Sequence, residues 1–137
     1  MRTDESHFES IKKRLNTTPY YRFLGMEVSE VSPGFARINL PFKRDLLQLA
    51  GAVHGGVTAS LVDAAVAVAL IASVAPETRI TTIELKVNYV SPVKKEDVTA
   101  EGRIIHKGSH TAVGDVEVRT KDGRLVAKGM ATYMIFA

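Results

Sequence analysis

A long apolar segment that carries a single acid constrains the fold of this chain most strongly. Residues 57–75 read VTASLVDAAVAVALIASVA, and apart from Asp63 every residue in them is apolar or a small hydroxyl residue. A Gly-rich turn, QLAGAVHGG, precedes the segment, and Pro76 follows it as a stop signal. A helix that is apolar all round is buried on every side. We therefore predict a buried central helix over residues 55–75.

A membrane-spanning helix is the alternative for this segment, because its nineteen residues approach the length that crosses a bilayer. Much of it, however, is Ala, Ser and Thr, which insert weakly, and Asp63 opposes insertion by roughly 2.5–3.5 kcal/mol near the centre of a helix. The rest of the chain has the pattern of a soluble sheet. The sequence therefore favours a helix buried in its own domain.

Composition limits the classes of function. A length of 137 residues predicts one domain over residues 1–137, and the absence of cysteine excludes disulfides, thiolate metal sites and Cys nucleophiles. The net charge of +3 suits an anionic partner. The basic residues are scattered, which disfavours nucleic acid and leaves a phosphorylated small molecule compatible. The N-terminus has no apolar signal region, so we expect a cytoplasmic protein.

The remaining segments predict one further helix and about six strands. Residues 4–15 form an amphipathic helix capped by Asp4 or Thr3, and Pro19 stops it. In residues 79–90, Leu85 and Tyr89 fall on one face and Thr82 on the other. The predicted strands are residues 23–31, 35–40, 79–90, 97–106, 110–120 and 124–136.

These elements predict an α+β fold in which a curled, mostly antiparallel sheet of about six strands wraps around one long central helix. The N-terminal helix is added to that unit. A single curled sheet leaves its edges open, and open edges favour pairing into a dimer.

The turn before the central helix is a candidate anion site. Gly55 and Gly56 stand where unpaired backbone N–H groups and the helix dipole favour negative charge. The oxyanion that develops from a thioester or ester carbonyl is one such charge. Alternatively, the glycines serve only a tight turn and close packing.

Asp63 is the candidate reactive group, because an ionised carboxylate in apolar surroundings is costly. Alternatively, Asp63 is a buried acid that is hydrogen-bonded to a structural partner. At ~1.5 Å rise per residue, Asp63 lies about 10 Å or more from the Gly55 amide along the helix. A neighbouring subunit is therefore a possible source of the other half of the site.

Three further polar residues flank the helix. His54 is a base, a substrate donor or, most commonly for such a histidine, a structural residue, and Gln48 and Thr82 are neutral hydrogen-bonding groups. The chain lacks the G-x-S-x-G, Walker and dinucleotide motifs. His106 and His110 have a spacing that suits metal only on a helix, whereas Gly108 indicates a turn, so we predict no metal site.

The spacing of these residues resembles the hotdog-fold acyl-CoA thioesterases, most closely the phenylacetate-degradation (PaaI-like) branch and its hydroxybenzoyl-CoA relatives. The likeness rests on Gln48, Gly51 and the His54-Gly55-Gly56 turn, on Leu61-Val62-Asp63, and on Tyr89-Val90-Ser91-Pro92. It covers most of the chain, from Leu24 to Phe136. Some relatives have Glu in place of Asp63, and some have Thr or Ser in place of Ala67.

The resemblance implies a role for each matched residue. Asp63 is the carboxylate that activates water or attacks the thioester, and the Gly55 amide is the oxyanion donor across the dimer interface. Gln48 lies beside the thioester, His54 shapes the turn and Thr82 helps to hold the water. The residues implied to line the coenzyme A groove are Thr82, Tyr89, Val90, Ser91, Pro92, His106, Lys107, Gly108, Ser109, His110 and Thr111.

The sequence thus predicts an acyl-CoA thioesterase that releases a free acid and coenzyme A, the acyl group being aryl, arylacetyl or short to medium in chain length. It needs no cofactor, since coenzyme A is part of the substrate. The resemblance implies a homodimer, usually paired into a tetramer, with no nucleic acid or membrane partner. The alternatives are a hotdog hydratase and a non-catalytic acyl-CoA sensor.

Overall fold

The computed structural model describes residues 4–136. Asp4 and Thr3, the two predicted N-cap residues of the first helix, lie outside the side chains that the structure describes. A short 3₁₀ turn at Arg44–Leu46 follows the second strand. The helices are α1 Asp4–Asn16, α2 Pro19–Leu24 and α3 Gly55–Ile71, and the strands are β1 Glu27–Ser32, β2 Phe35–Leu40, β3 Arg79–Tyr89, β4 Val98–Lys107, β5 Thr111–Thr120 and β6 Leu125–Phe136.

The six strands form one antiparallel sheet in the order β1-β2-β4-β5-β6-β3. Helix α3 packs against the strands of this sheet, and its residues Leu61, Val62 and Val66 have no exposed surface. The predicted architecture of a curled sheet around one central helix is confirmed. The sheet supplies apolar contacts on several sides of α3, but a stripe of the helix that includes Asp63 and Ala67 is only partly buried. The prediction that the helix is buried on every side is therefore wrong for that stripe.

Close contact between the sheet and α3 depends on small residues in the strands. A Cβ atom built on Gly102 of β4 would lie 2.8 Å from the Ala65 backbone, and one on Gly129 of β6 would lie 2.6 Å from a Val62 methyl carbon. Real Cβ atoms do not approach other atoms so closely. Glycine at these positions therefore lets the helix lie directly on the sheet.

Strand β3 forms one edge of the sheet and contains a β-bulge. Its register against β6 shifts between Thr82 and Glu84, where Thr82 lies opposite Tyr133 and Leu85 lies opposite Ala131. Tyr133 and Ala131 are two residues apart and share the inner face of β6. The predicted strict alternation, which placed Thr82 and Leu85 on opposite faces, is therefore wrong. The bulge turns both side chains towards α3.

Two helix boundaries also differ from the prediction. Pro19, expected to act only as a stop, begins α2, because proline suits the first position of a helix, and β1 consequently starts at Glu27. Helix α3 ends at Ile71 instead of residue 75. The Ser73 hydroxyl donates to the Ala69 carbonyl, and a residue that precedes proline avoids helical geometry.

No helix within residues 4–136 is long and apolar enough to cross a membrane.

Candidate active site

Asp63 lies at the centre of a cluster of hydroxyl groups. The Thr82 hydroxyl donates a hydrogen bond to Oδ1 of Asp63 at 2.9 Å, and the Tyr133 hydroxyl donates to the same oxygen at 2.5 Å. The Tyr133 oxygen also lies 3.1 Å from the backbone carbonyl oxygen of Asp63. These donors belong to β3 and β6, which the bulge in β3 brings into register opposite the helix.

The tyrosines around Asp63 keep their protons at physiological pH. Burial raises the pKa of Tyr133 well above its usual value, and the hydrogen bond to Asp63 adds to that effect. Burial also raises the pKa of Tyr21 to about 12, with a further contribution from the negative charge of Asp63. Tyr133 is therefore a fixed neutral donor to the carboxylate.

The carboxylate is held by hydroxyl groups rather than by a cation. Within residues 4–136, no ion pair involves Asp63. Both donors bind Oδ1, and no protein group in the same range donates to Oδ2. The two donors orient the group and leave Oδ2 open for chemistry.

The turn that starts α3 is held by the side chain of His54. His54 is the N-cap of the helix, and its Nδ1 accepts a hydrogen bond from the Gly56 amide at 2.8 Å. A Cβ on Gly56 would lie 3.0 Å from that nitrogen, so glycine makes room for the cap. Since Nδ1 is the acceptor, a neutral His54 carries its proton on Nε2.

Gly55, the first residue of α3, keeps its amide available. The Gly56 amide binds His54 and the Val57 amide donates to the His54 carbonyl. Among the described residues, no acceptor is bonded to the Gly55 N–H. The Tyr89 hydroxyl donates to the carbonyl oxygen of Gly55 at 2.6 Å, and this bond on the following peptide unit helps to hold residue Gly55 in place. The geometry leaves one free donor at a helix N-terminus, where negative charge is favoured.

A pocket of about 340 Å³, here called the turn pocket, lies beside Gly55. It contains Gln48 and four consecutive residues that were predicted to line the coenzyme A groove, namely Tyr89, Val90, Ser91 and Pro92. The Gln48 side-chain oxygen accepts a hydrogen bond from the Ala50 amide, which leaves its NH₂ group as a donor. The structure therefore brings these predicted residues together.

Other predicted site residues are not brought together within one chain. Asp63 and Gly55 are eight residues apart on α3, about 12 Å along the helix axis. Residues 106–111 comprise the end of β4, the turn that follows it and the first residue of β5. They lie beside the end of β6, where Thr111 lies opposite Met134. Tyr89 instead pairs with Ala127 near the start of β6. The two predicted parts of the groove thus lie at opposite ends of the sheet.

Sequence reasoning missed two residues of the Asp63 cluster, Tyr133 and Tyr21. Tyr133 stands at an inner position of β6, two residues after Ala131, and a tyrosine among buried small residues is a signal that a polar partner lies opposite. That partner is identified only once the position of α3 over β6 is known. Tyr21 lies on α2, a helix that the sequence did not predict.

Comparison with known proteins identifies the family. The sequence profile of the thioesterase superfamily matches residues 50–127, which is more than half of the chain. The chain belongs to the thioesterase superfamily. The medium/long-chain acyl-CoA thioesterase YigI of Escherichia coli is 30% identical to it, and the match covers 85% of each protein. This thioesterase is accordingly a thioester hydrolase.

Solved structures share the fold of this thioesterase. A conserved protein, PA5202 from Pseudomonas aeruginosa, has a TM-score of 0.86 at 30% identity, over 90% of this thioesterase and 98% of that chain. The PaaI protein from the phenylacetic acid degradation operon of Escherichia coli has a TM-score of 0.84 at 21% identity, over 91% and 89% of the two chains. The latter likeness concerns the fold. The sheet and central helix form the hotdog fold predicted from the sequence.

Proposed function

We propose that this thioesterase hydrolyses acyl-coenzyme A to a free acid and coenzyme A, and that Asp63 is its reactive carboxylate. One observation carries the proposal. Thr82 and Tyr133 both donate to Oδ1 of Asp63, so the carboxyl group is held in one orientation and Oδ2 is left for the reaction. The similarity to YigI, a medium/long-chain acyl-CoA thioesterase, supports coenzyme A as the leaving group.

The carboxylate has two routes to the same products. As a base, Oδ2 removes a proton from water while the water oxygen attacks the thioester carbonyl carbon. The C–S bond then breaks, the thiolate takes up the proton, and the acid is released. As a nucleophile, Oδ2 attacks the carbonyl carbon itself, expels the thiolate and forms an anhydride, which water hydrolyses.

The Gly55 amide is the proposed oxyanion donor. In either route the carbonyl oxygen gains negative charge, and a fixed backbone N–H at a helix N-terminus stabilises that charge without reorganisation. The Tyr89 hydrogen bond to the Gly55 carbonyl, in the next peptide unit, restrains the residue that carries the donor. The NH₂ group of Gln48 lines the same pocket and provides a second donor near the thioester.

Asp63 and Gly55 meet if two subunits pair through β3. Strand β3 is a sheet edge, and an open edge is a template for a second strand. Thr82, which holds Asp63, lies near the start of β3, whereas Tyr89, which holds Gly55, ends the strand. Antiparallel pairing of two β3 strands sets the start of one beside the end of the other. Each dimer then contains two sites, each with Asp63 from one subunit and Gly55 from its partner.

The same pairing completes the proposed coenzyme A groove. It places residues 106–111 of one subunit, which lie at the end of the sheet where β3 starts, near Tyr89 and Pro92 of the other. The substrate supplies coenzyme A, and the proposed reaction requires no metal or cofactor. Pairing of dimers into a tetramer, as the resemblance implies, and a cytoplasmic location are part of the same proposal.

The test is release of free thiol from aryl, short, medium and long acyl-CoAs by the wild type and by the Asp63→Asn and Asp63→Ala variants. We expect release by the wild type and a loss of at least about a hundredfold in kcat in both variants. Release that does not depend on Asp63 would overturn this mechanism. Hydration of crotonyl-CoA without thiol release would indicate the hydratase, and binding without either reaction the sensor.

A further inference from the structure

A second pocket, of about 350 Å³, opens on a different side of the start of α3. It is here called the α2 pocket, because Tyr20, Phe23 and Leu24 of α2 form one of its walls. His54, Gly56 and Val57 form the wall on the helix side. The α2 pocket therefore adjoins the same turn as the turn pocket but shares no lining residue with it.

The wall formed by α2 is fixed in place. The Tyr20 hydroxyl and the Ser60 hydroxyl of α3 are hydrogen-bonded at 2.7 Å. The Lys43 ammonium group donates to the Phe23 carbonyl at 2.6 Å and lies 5.9 Å from the centre of the Phe23 ring. Phe23 is nevertheless 74% exposed, so a large aromatic ring is held at the mouth of the pocket with most of its surface uncovered. A preformed apolar wall of this kind suits an apolar ligand.

The charges around the two pockets orient a thioester between them. The turn pocket continues through Pro92 into a shallow depression that is lined by Lys94, Lys95 and an ion pair between Arg124 and Glu96, so its net charge is positive. Arg124 also binds the Pro92 carbonyl. Positive charge on that side suits the phosphates of coenzyme A. The α2 pocket is lined by one residue of each sign, Lys43 and Asp45, and the Lys43 charge lies against the Phe23 ring and carbonyl. Its apolar lining side chains besides Phe23 are Leu24, Leu46, Leu47 and Val57.

We propose that the α2 pocket binds the acyl group of the substrate, and that this group is an apolar chain or ring larger than acetyl. This inference rests on the proposed function, because it assumes a thioester carbonyl at Gly55. The carbonyl at the Gly55 amide then separates the two ends of the substrate. Pantetheine and phosphates extend along the turn pocket towards Lys94 and Lys95, and the acyl group extends past Gly56 against Phe23.

Ligand binding by the Asp63→Asn protein tests the pocket without turnover. Titration calorimetry compares octanoyl-CoA, phenylacetyl-CoA and free coenzyme A, with and without the added substitution Phe23→Ala. We expect Phe23→Ala to weaken binding of the two acyl-CoAs about tenfold and binding of coenzyme A less than twofold. Phe23→Leu, which keeps an apolar side chain, restores most of the affinity. Ile105→Ala, at an exposed apolar residue of β4 outside both pockets, is the matched control and leaves all three affinities unchanged.

The outcomes separate this inference from the proposed function. Equal weakening of all three ligands, or no change in any, would overturn the α2 pocket as the acyl site. Loss of subunit association on Phe23→Ala in sedimentation, with unchanged acyl selectivity, would assign Phe23 to a subunit contact and would also overturn it. If the wild type releases no thiol but Phe23→Ala still weakens acyl-CoA binding selectively, the proposed function fails and the acyl site stands.

Discussion

The phenolic oxygen of Tyr133 lies 2.5 Å from Oδ1 of Asp63, on the same carboxylate oxygen that accepts the Thr82 hydroxyl. Burial and the neighbouring carboxylate keep the Tyr133 proton in place by raising its pKa. The strand β6 thus holds a neutral donor against the proposed reactive acid. This contact connects the sheet directly to the chemistry on α3.

Replacing Tyr133 with Phe is expected to lower kcat by about ten- to a hundredfold, since a hydrogen bond to a charged group is worth about 1.5–3 kcal/mol. The measurement is kcat with one acyl-CoA substrate, and urea denaturation of the same variant is the control for packing. An unchanged kcat in a destabilised variant would mean that Tyr133 serves packing alone.

The role of His54 is tested by two substitutions with different capping ability. Asparagine is a good N-cap and alanine is a poor one, so His54→Ala should lose about 1 kcal/mol of unfolding free energy while His54→Asn loses little. Urea denaturation measures both. Activity of His54→Asn within a few fold of wild type would agree with a structural cap. A loss of more than about a hundredfold in that variant would make His54 a base.

The raised pKa of Tyr21 predicts that the protein loses stability at alkaline pH. Its pKa is about 12 in the folded protein, against about 10 when the chain is unfolded, so both states are protonated below pH 10. Above pH 10 the unfolded state loses the proton first. The free energy of unfolding therefore falls as pH rises from 10 to 12, by up to about 1.4 kcal/mol per pH unit from this group.

The matched comparison is Tyr21→Phe, which lacks that titration. Urea denaturation between pH 9 and pH 12 should give a shallower fall for Tyr21→Phe than for the wild type. Lysine ionisation in the same range affects both proteins alike. Parallel curves would contradict the raised pKa.

Most of the fold was predictable from the sequence, because the spacing of apolar residues indicates where the helices and strands lie. Strands β3 to β6 start and end within one residue of their predicted bounds, and β2 matches at both ends. The apolar pattern of α3 required a sheet around it. Helix α2 was missed because Pro19 is both a stop signal and a good first helical residue, and six residues are too few to show a helical period.

The candidate site was predictable only in part. Gly55 and Asp63 were predicted to lie on one helix, and the rise per residue of that helix gave the distance between them. The Tyr133 contact was not predictable, because it depends on which residues of β6 lie beneath α3. The bulge in β3 was missed as well, because residues 83–89 alternate regularly and the change of phase falls near the start of the strand, after Thr82. That bulge is what turns Thr82 towards Asp63.

The Gly55 amide can be removed with little change to the helix. Proline suits the first helical position, and His54 already has the extended ψ of 134° that a residue before proline requires. Gly55→Pro deletes the N–H and should lower kcat by about a hundredfold or more. Gly55→Ala keeps the N–H but places a similar Cβ 3.2 Å from the Tyr89 hydroxyl. Equal losses in both variants would assign the effect to crowding rather than to the donor.

The shared site is tested most directly by a hybrid of two inactive subunits. Asp63→Asn and Gly55→Pro chains with different tags are co-expressed, and the dimer that carries both tags is isolated. Suppose that each site takes Asp63 from one subunit and Gly55 from the other. One site of the hybrid then has both substitutions, and the other site has neither. We expect the hybrid dimer to release thiol at about half of the wild-type rate. A hybrid dimer as inactive as its two parents would contradict a site shared between subunits.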